Sequence, residues 1–413
     1  MPQELIVGLD IGTTKVCAVV GEVRDQQIDI VGLGVAPTAG GLRKGVVVNI
    51  DNTVRAIRKA VEEAENMAGC EIRSVYTGVA GTHIQGVSSH GVIVIKDREV
   101  NQSDVDRVID SARLMVSIPS DRTVIHTLVQ DYMIDGQDGI KDPVGIHGLR
   151  LECRVHIVTG ANTALNNIYK CVHRANLEVS GIALQSLAAG EAVLTEEEKA
   201  LGVALVDFGG GTTDLAIFSG NSLKHNAVIP VGGNNLTNDI AVGLQTSLAN
   251  AEQVKKDFGC CLNALVDQDE SLEIPGLGGR KSRQLARREL AEIIDLRMQE
   301  ILQLIAKEIH RAGSGNPVLA GTVITGGSAL VAGLPELVDN TLQLPTRIGY
   351  PLVAGGLTDV IQNPAFATGV GLVLYGFRKQ LQSYPPKGWW PSRPGGPRTS
   401  LWGKIKKWFQ EVK

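Results

Sequence analysis

Two stretches of the chain repeat an aspartate, glycine and paired threonines in the same order. Leu9-Asp10-Ile11-Gly12-Thr13-Thr14-Lys15-Val16 is echoed by Val206-Asp207-Phe208-Gly209-Gly210-Gly211-Thr212-Thr213-Asp214-Leu215. Both read as apolar strand, aspartate, glycine, Thr-Thr and apolar strand. Glycines let backbone N–H groups come close to phosphate oxygens, and the threonine hydroxyls add donors. Lys15 adds a point charge for the same oxygens. Asp10 and Asp207 would repel phosphate directly, so their chemistry is to hold Mg²⁺ through the water shell that this ion sheds reluctantly. One such turn alone is ordinary hairpin punctuation. Two copies, each on a strand, point to a nucleotide-phosphate site.

A third stretch fits the set. Val323-Ile324-Thr325-Gly326-Gly327-Ser328-Ala329-Leu330 reads as strand, Gly-Gly turn and helix start, where a nucleoside could approach the backbone. Gly276-Leu277-Gly278-Gly279-Arg280-Lys281-Ser282 imitates a P-loop, but Arg280 and Pro275 stand where that loop needs glycine. No GxGxxG follows a strand, which argues against a Rossmann dinucleotide site. The eight histidines are scattered, and the six cysteines contain no CxxC pair. Zinc and a disulfide scaffold are therefore not expected, and a reducing compartment is.

The elements that must position these residues follow from the hydrophobic pattern. Leu5–Leu9, Val16–Val20 and Ile28–Val35 are predicted strands. Val54, Ile57, Val61, Ala64 and Met67 recur at helical spacing over Thr53–Met67, and Ser74–Val79 returns to strand. Val87–Ile95, Thr123–Ile134 and Leu149–Val158 read as strands around a helix capped by Asn101 or Ser103, a small α+β insertion. Helices are expected over Asn162–Ala175, Ser186–Leu194 and Leu285–Ile309. Strands are expected over Val203–Val206, Leu215–Phe218, Ala227–Val231 and Thr322–Thr325, with a short extended piece inside Thr341–Pro351. Ala365–Tyr375 is small and apolar.

The chain has 413 residues, 43% of them hydrophobic and 20% charged. That is globular composition with room for two to three domains. The net charge of −4 is unevenly spread: Ser383–Lys413 carries seven basic residues against Glu411 alone, a net +6, leaving −10 for the rest. An acidic body argues against nucleic-acid binding. The start, MPQELIVGLDIG, lacks the form of a secretory signal. No apolar run is long enough to span a bilayer.

All four tryptophans lie in that basic tail, and Ser383–Ser400 holds five of the sixteen prolines. The proline stretch reads as a linker over 383–400. Beyond it, Leu401, Trp402, Ile405, Trp408, Phe409 and Val412 fall within an arc of about 120° on a helical wheel. Lys404, Lys406 and Lys407 lie outside that arc. A helix over 401–413 spans only ~20 Å, too short to cross a bilayer. Lying flat, it would bury the tryptophans in the interface and set the lysines against anionic headgroups. Ordering the helix costs about 1–2 kcal/mol per residue, so one tail binds weakly and a row of tails strongly.

The two phosphate hairpins and the Gly-Gly turn resemble the actin-like ATPase superfamily. Within it, AVLTEEEKALGVALVDFGGGTTDLAIF, HNAVIPVGGNNLTNDIA, AEQVKKDFGC and ITGGSALVAGLPEL are similar to the FtsA family of bacterial cell division proteins, and the resemblance covers nearly the whole chain. It implies an actin-like α/β fold: two related domains, each with a five-stranded sheet, around an ATP cleft. Residues 1–82, 160–199 and 351–382 would form subdomain 1A, and 83–159 the inserted subdomain 1C. Residues 200–238 and 304–350 would form subdomain 2A, and 239–303 subdomain 2B.

The resemblance also implies site residues. Asp10, Gly12, Thr13, Thr14 and Lys15 match the first phosphate hairpin. Asp207, Gly209, Gly210, Gly211, Thr212 and Thr213 match the second, and Gly326, Gly327 and Ser328 the adenosine turn. Glu252 and Lys255 match residues that contact ribose or base. Gln185 falls where relatives place a water-orienting glutamate; an amide is a poor general base, so at most slow hydrolysis of Mg-ATP is expected.

The implied role is an adaptor that polymerises on the cytoplasmic face of the cell membrane at the septum. Its tail would bind anionic lipids, and other division proteins would meet the insert. Subdomain 2B would receive the C-terminal peptide of FtsZ. Lys281, Arg283, Arg287, Arg288 and Arg297 cluster there with Arg280, and Arg287, Arg288 and Arg297 are the expected pairing residues. The alternatives of the same fold are a small-molecule kinase, a chaperone-like ATPase and a pilus-assembly adaptor.

Overall fold

The computed structural model describes residues 4–24, 27–276, 281–313, 318–353 and 355–383. Residues 1–377 form one compact unit and Arg378–Lys413 a second. The membrane-helix residues expected over 401–413, and Arg280, lie outside the described residues.

The chain opens with β1 (Leu5–Ile11), β2 (Lys15–Arg24) and β3 (Gln27–Pro37), an antiparallel meander. A two-strand ribbon, β4 (Leu42–Arg43) and β5 (Val46–Val47), leads into α1 (Ile50–Ala68). Asn49 caps α1 by accepting from the Asn52 N–H, and Gly69 ends it at φ +66°. Strand β6 (Ser74–Val79) then pairs parallel to β1.

The insert follows as β7 (Gln85–Val94), α2 (Gln102–Leu114), β8 (Arg122–Ile134), β9 (Gln137–Ile140) and β10 (Arg150–Ala161). Its strands form an antiparallel sheet in the order β7-β10-β8-β9, with α2 against β7 and β10. Asn101 and Asp104 form the capping box of α2. Its core is separate, centred on Val108, Leu151, Val155 and Ile157.

Helix α3 (Asn162–Arg174) and β11 (Glu178–Leu184) complete the first half, β11 running parallel to β6. Helices α4 (Gln185–Val193) and α5 (Glu196–Leu201) cross to the second half. There, β12 (Val203–Phe208), β13 (Thr213–Ser219) and β14 (Ser222–Ile229) form another antiparallel meander. Helices α6 (Gly233–Gly243) and α7 (Leu248–Phe258), the ribbon of β15 (Ser271–Ile274) and β16 (Arg283–Ala286), and α8 (Arg287–Arg311) come next. The order then runs β17 (Thr322–Thr325), α9 (Leu334–Leu342), β18 (Thr346–Ile348), β19 (Gly355–Gly356), α10 (Thr358–Ile361) and α11 (Ala367–Ser383).

The two large sheets repeat one plan. The first has the order β11-β6-β1-β2-β3-β19 and the second β14-β13-β12-β17-β18. Each is a three-strand meander whose first strand is extended by two successive parallel strands, the nearer pairing with it and the outer pairing with the nearer. The sequence echo is thus an echo of whole domains. The expectation of five strands in each half needs one correction. The first sheet has a sixth strand, because the returning chain lays Gly355 and Gly356 beside Asp29 and Ile30 on β3. A two-glycine strand carries no hydrophobic pattern that could announce it.

The insert also touches the second half. It leaves the chain between β6 and α3, yet β7, β8 and β10 lie against β14, the edge strand of the second sheet. His156 Nε2 and Asn226 Oδ1 lie 2.7 Å apart in a buried hydrogen bond, and Gln130 Nε2 donates to the carbonyls of Leu223 and Lys224. Covering β14 hides an edge that would otherwise template strand pairing.

Candidate nucleotide-binding site

The two hairpins face each other across a cleft of about 440 Å³. Each puts its aspartate at the end of a buried central strand and its glycine turn at the tip. The tips nearly touch. A Cβ on Gly210 would stand 1.9 Å from Thr14 Oγ1, and one on Gly211 would stand 2.5 Å from Thr13 Oγ1. No side chain fits at either position, so the glycines permit the two halves to meet.

The cleft gathers nearly every residue selected from the sequence. Asp10, Gly12, Thr13, Thr14 and Lys15 line one side; Asp207, Gly209, Gly210, Gly211 and Thr212 line the other. Gly326, Gly327, Ser328, Glu252, Lys255 and Gln185 complete the wall. Thr213 is the exception. It is fully buried in β13 and its hydroxyl donates to the Val231 carbonyl at 2.9 Å, so it is not among the lining residues. Strand alternation explains this, since its neighbours Thr212 and Asp214 are the ones that line the cleft.

Asp214 is the residue the sequence reading left out. It stands after the second Thr-Thr, where the first copy has Lys15, so the repeat carries opposite charges at equivalent places. Thr212 Oγ1 donates to Asp214 Oδ2 at 2.9 Å, while Asp214 Oδ1 is buried with no hydrogen-bond partner among the described residues. Asn234 and Thr368 also line the cleft without having been selected.

The electrostatics of the three aspartates share a cause. Burial pushes Asp10 up to about 7, with Lys15 opposing and Asp207 adding to the rise. Burial pushes Asp207 to about 6 against the Thr368 hydrogen bond and Lys15. Burial pushes Asp214 to about 7, with the charge of Asp207 reinforcing it. Three buried carboxyls thus share the cleft, and Lys15 offsets the rise of Asp10 and Asp207 only in part.

The other polar groups are held in place. Gln185 Nε2 donates to Asp10 Oδ1 at 2.9 Å. Lys15 Nζ donates to the Ala365 carbonyl at 2.6 Å and sits 4.1 Å over the Phe366 ring. Glu252 accepts from Thr237 Oγ1 at 2.5 Å and from Lys255 Nζ at 2.6 Å. Burial pulls the Glu252 carboxyl up, but the hydrogen bonds from Lys255 and Thr237 outweigh it and leave it below the usual range.

The basic residues of the α7–α8 region are less free than their charge suggested. Arg297 holds Asp239 with two nitrogens, at 2.5 and 3.0 Å, and also pairs with Glu300. Arg287 donates to both oxygens of Glu270 and to the Phe258 carbonyl. Arg288 has a buried Nε with no hydrogen-bond partner among the described residues. Lys281 and Arg283 are exposed.

Comparison with known proteins is consistent with this geometry. The family model described as cell division protein FtsA matches residues 204–371, and that of the SHS2 domain inserted in FtsA matches residues 81–159. The cell division protein FtsA of Pseudomonas aeruginosa is 47% identical over 409 residues, covering 98% of each chain. That of Neisseria meningitidis is 45% identical over 99% of this chain and 98% of its own. That of Escherichia coli K12 is 41% identical over 92% of each. The chain belongs to the FtsA family of cell division proteins. Among solved structures, the PilM–PilN type IV pilus biogenesis complex matches with a TM-score of 0.67 at 19% identity, over 90% of this chain and 98% of that one. MreB5 of Spiroplasma citri bound to ADP matches with a TM-score of 0.56 at 15% identity, over 92% and 98%. These likenesses establish the actin-like fold.

Proposed function

We propose that this protein binds Mg-ATP in the cleft, polymerises on the cytoplasmic face of the cell membrane, and tethers FtsZ to it during septum formation. The observation that carries the nucleotide reading is the pair of glycine–threonine hairpins meeting tip to tip above three buried aspartates. In the division reading, the subdomain limits expected from the sequence apply unchanged.

The residues present suit a hydrated divalent ion. Among the described residues no three of His, Cys, Asp or Glu cluster as direct ligands of one metal. Asp10 and Asp207 would hold Mg²⁺ through its waters, and Asp214 Oδ1 offers a further buried acceptor. Bound Mg²⁺ supplies positive charge between the phosphates and these acids. Thr13, Thr14, Thr212 and the glycine N–H groups would bind phosphate oxygens, and Lys15 would exchange Ala365 for a phosphate. Gly326, Gly327 and Ser328 would take the nucleoside, with Glu252 and Lys255 on the ribose or base. Gln185 would orient a water while bound to Asp10, which suits slow turnover. Bridging both halves, nucleotide would favour a closed cleft.

The membrane step is assigned to the tail of 401–413. Among the described residues no helix is long and apolar enough to cross a membrane. For the FtsZ peptide, Arg288, Arg283 and Lys281 supply charge that Arg287 and Arg297 spend on their own acids. Equilibrium binding of ATP to the full chain, with Mg²⁺ and then with EDTA, tests the cleft. Micromolar or tighter binding that weakens in EDTA is expected; absence of binding under both conditions refutes the nucleotide reading.

A further inference from the structure

The floor of the cleft is closed by the segment that returns the chain to the first half. Asn363 caps a 3-10 turn, Pro364–Phe366, which runs straight into α11. This turn is tied to both halves. The Pro364 carbonyl accepts from the Gly326 N–H and from Thr325 Oγ1, both at 3.2 Å. The Ala365 carbonyl accepts from Lys15.

One residue into α11, Thr368 reaches across the cleft floor. Its hydroxyl, on a residue only 6% exposed, donates to Asp207 Oδ2 at 3.2 Å. Helix α11 is seated firmly enough to aim that hydroxyl. A Cβ on Gly369 would stand 2.8 Å from Val19 Cγ2, and one on Gly371 would stand 1.9 Å from the Ala188 carbonyl, so the helix backbone lies hard against β2 and α4. On its other side Asp207 is equally confined, since a Cβ on Gly326 would stand 2.2 Å from Asp207 Oδ1.

The two hairpin aspartates are therefore held alike. Asp10 takes an amide donor from Gln185, and Asp207 takes a hydroxyl donor from Thr368. Both donors are neutral. A neutral donor fixes the carboxylate without cancelling its charge, which stays available to a hydrated cation. A lysine or arginine in either place would compete with that cation.

We propose that Thr368 is a positioning residue for Asp207: it fixes the orientation in which that carboxylate meets the hydrated Mg²⁺ of a bound nucleotide, and so makes the first turn of α11 part of the site. The proposal rests on the cleft being a Mg-nucleotide site. It predicts an effect on how strongly Mg²⁺ strengthens nucleotide binding, beyond any effect on fold.

The test is titration of the full chain with a fluorescent ADP analogue, in Mg²⁺ and in EDTA, reading the ratio of the two dissociation constants. Thr368→Val keeps the shape and loses the donor, and its ratio is expected to fall about tenfold, as for loss of a hydrogen bond to a charged group. Thr368→Ser keeps the donor and should stay within about twofold of the parent. In an Asp207→Asn background, Thr368→Val should lower the ratio no further. Thr368→Ala carries the expectation of valine should the extra methyl crowd Asp207 and unfold the chain, as thermal unfolding would show. Three results would overturn the assignment: an unchanged ratio in the valine and alanine variants, a serine variant as low as valine, or an undiminished valine effect in the Asp207→Asn background. A parent chain that binds no nucleotide would instead remove the reading of the cleft.

Discussion

Replacing Asp214 by asparagine should stabilise the nucleotide-free protein, although it removes a buried charge from a built site. Among the described residues Asp214 Oδ1 has no hydrogen-bond partner, and burial with the Asp207 charge raises the carboxyl from 3.8 to about 7. A carboxyl raised in the folded state stabilises fully below the unfolded value and loses that stabilisation as pH rises through the folded one. At about 1.4 kcal/mol per unit, ionising this group by pH 8 costs the folded state on the order of 4 kcal/mol. Asparagine keeps an acceptor for Thr212 but must bury an amide, which returns roughly 1–2 kcal/mol of the gain. The net expectation is about 2 kcal/mol, or ~2–3 °C in Tm for a chain of this size, at pH 8. Near pH 4 that gain is lost, because the carboxyl is then largely protonated in the folded state, and the remaining cost of burying the amide should leave the variant about 1 kcal/mol less stable than the parent. Thermal unfolding of Asp214→Asn and the parent in EDTA, at pH steps between 4 and 8, measures it. Taking the difference cancels titrating groups that do not interact with Asp214, such as His83, which burial lowers to about 4. A variant less stable than the parent at pH 8, or a difference independent of pH, would refute the reasoning.

Two further outcomes follow from the packing. The His156–Asn226 bond joins the insert to β14, so a double-mutant cycle with His156→Ala and Asn226→Ala should give a coupling of about 1–2 kcal/mol in urea unfolding, and additivity would mean the clasp carries nothing. Arg297→Glu sets a third acid beside Asp239 and Glu300 and should lower stability by roughly 2 kcal/mol in the same assay. Arg288→Glu should weaken the FtsZ C-terminal peptide at least about tenfold in fluorescence anisotropy, with little loss of Tm; unchanged affinity would take Arg288 out of that site.

What was legible in the sequence had strong local punctuation. Ser74–Val79 and Thr322–Thr325 are strands with the limits their apolar runs give, because charge or glycine bounds them. The α2 cap was readable only as Asn101 or Ser103, and the structure takes Asn101. Strand β14 extends back to Ser222, ahead of the expected Ala227, because the insert shelters Ser222, Lys224 and Asn226, and that shelter is tertiary. The short helix α5 went unread although Thr195-Glu196-Glu197-Glu198 spells a capping box, which the structure forms.

The same division applies to the cleft. Glycine, threonine and aspartate in two copies announced its walls. Asp214 was visible only by aligning it with Lys15, and Thr213 only by following strand alternation. Thr368 comes from a helix more than 150 positions from Asp207, and no local pattern links them. Arg297 looked free because its partner Asp239 lies on another helix.

Membrane tethering is tested most directly by liposome co-pelleting of FtsZ with Mg-ATP, comparing the full chain with one ending at Leu381. FtsZ should pellet with the full chain and remain in the supernatant with the shortened one. FtsZ left in the supernatant by the full chain would contradict the account.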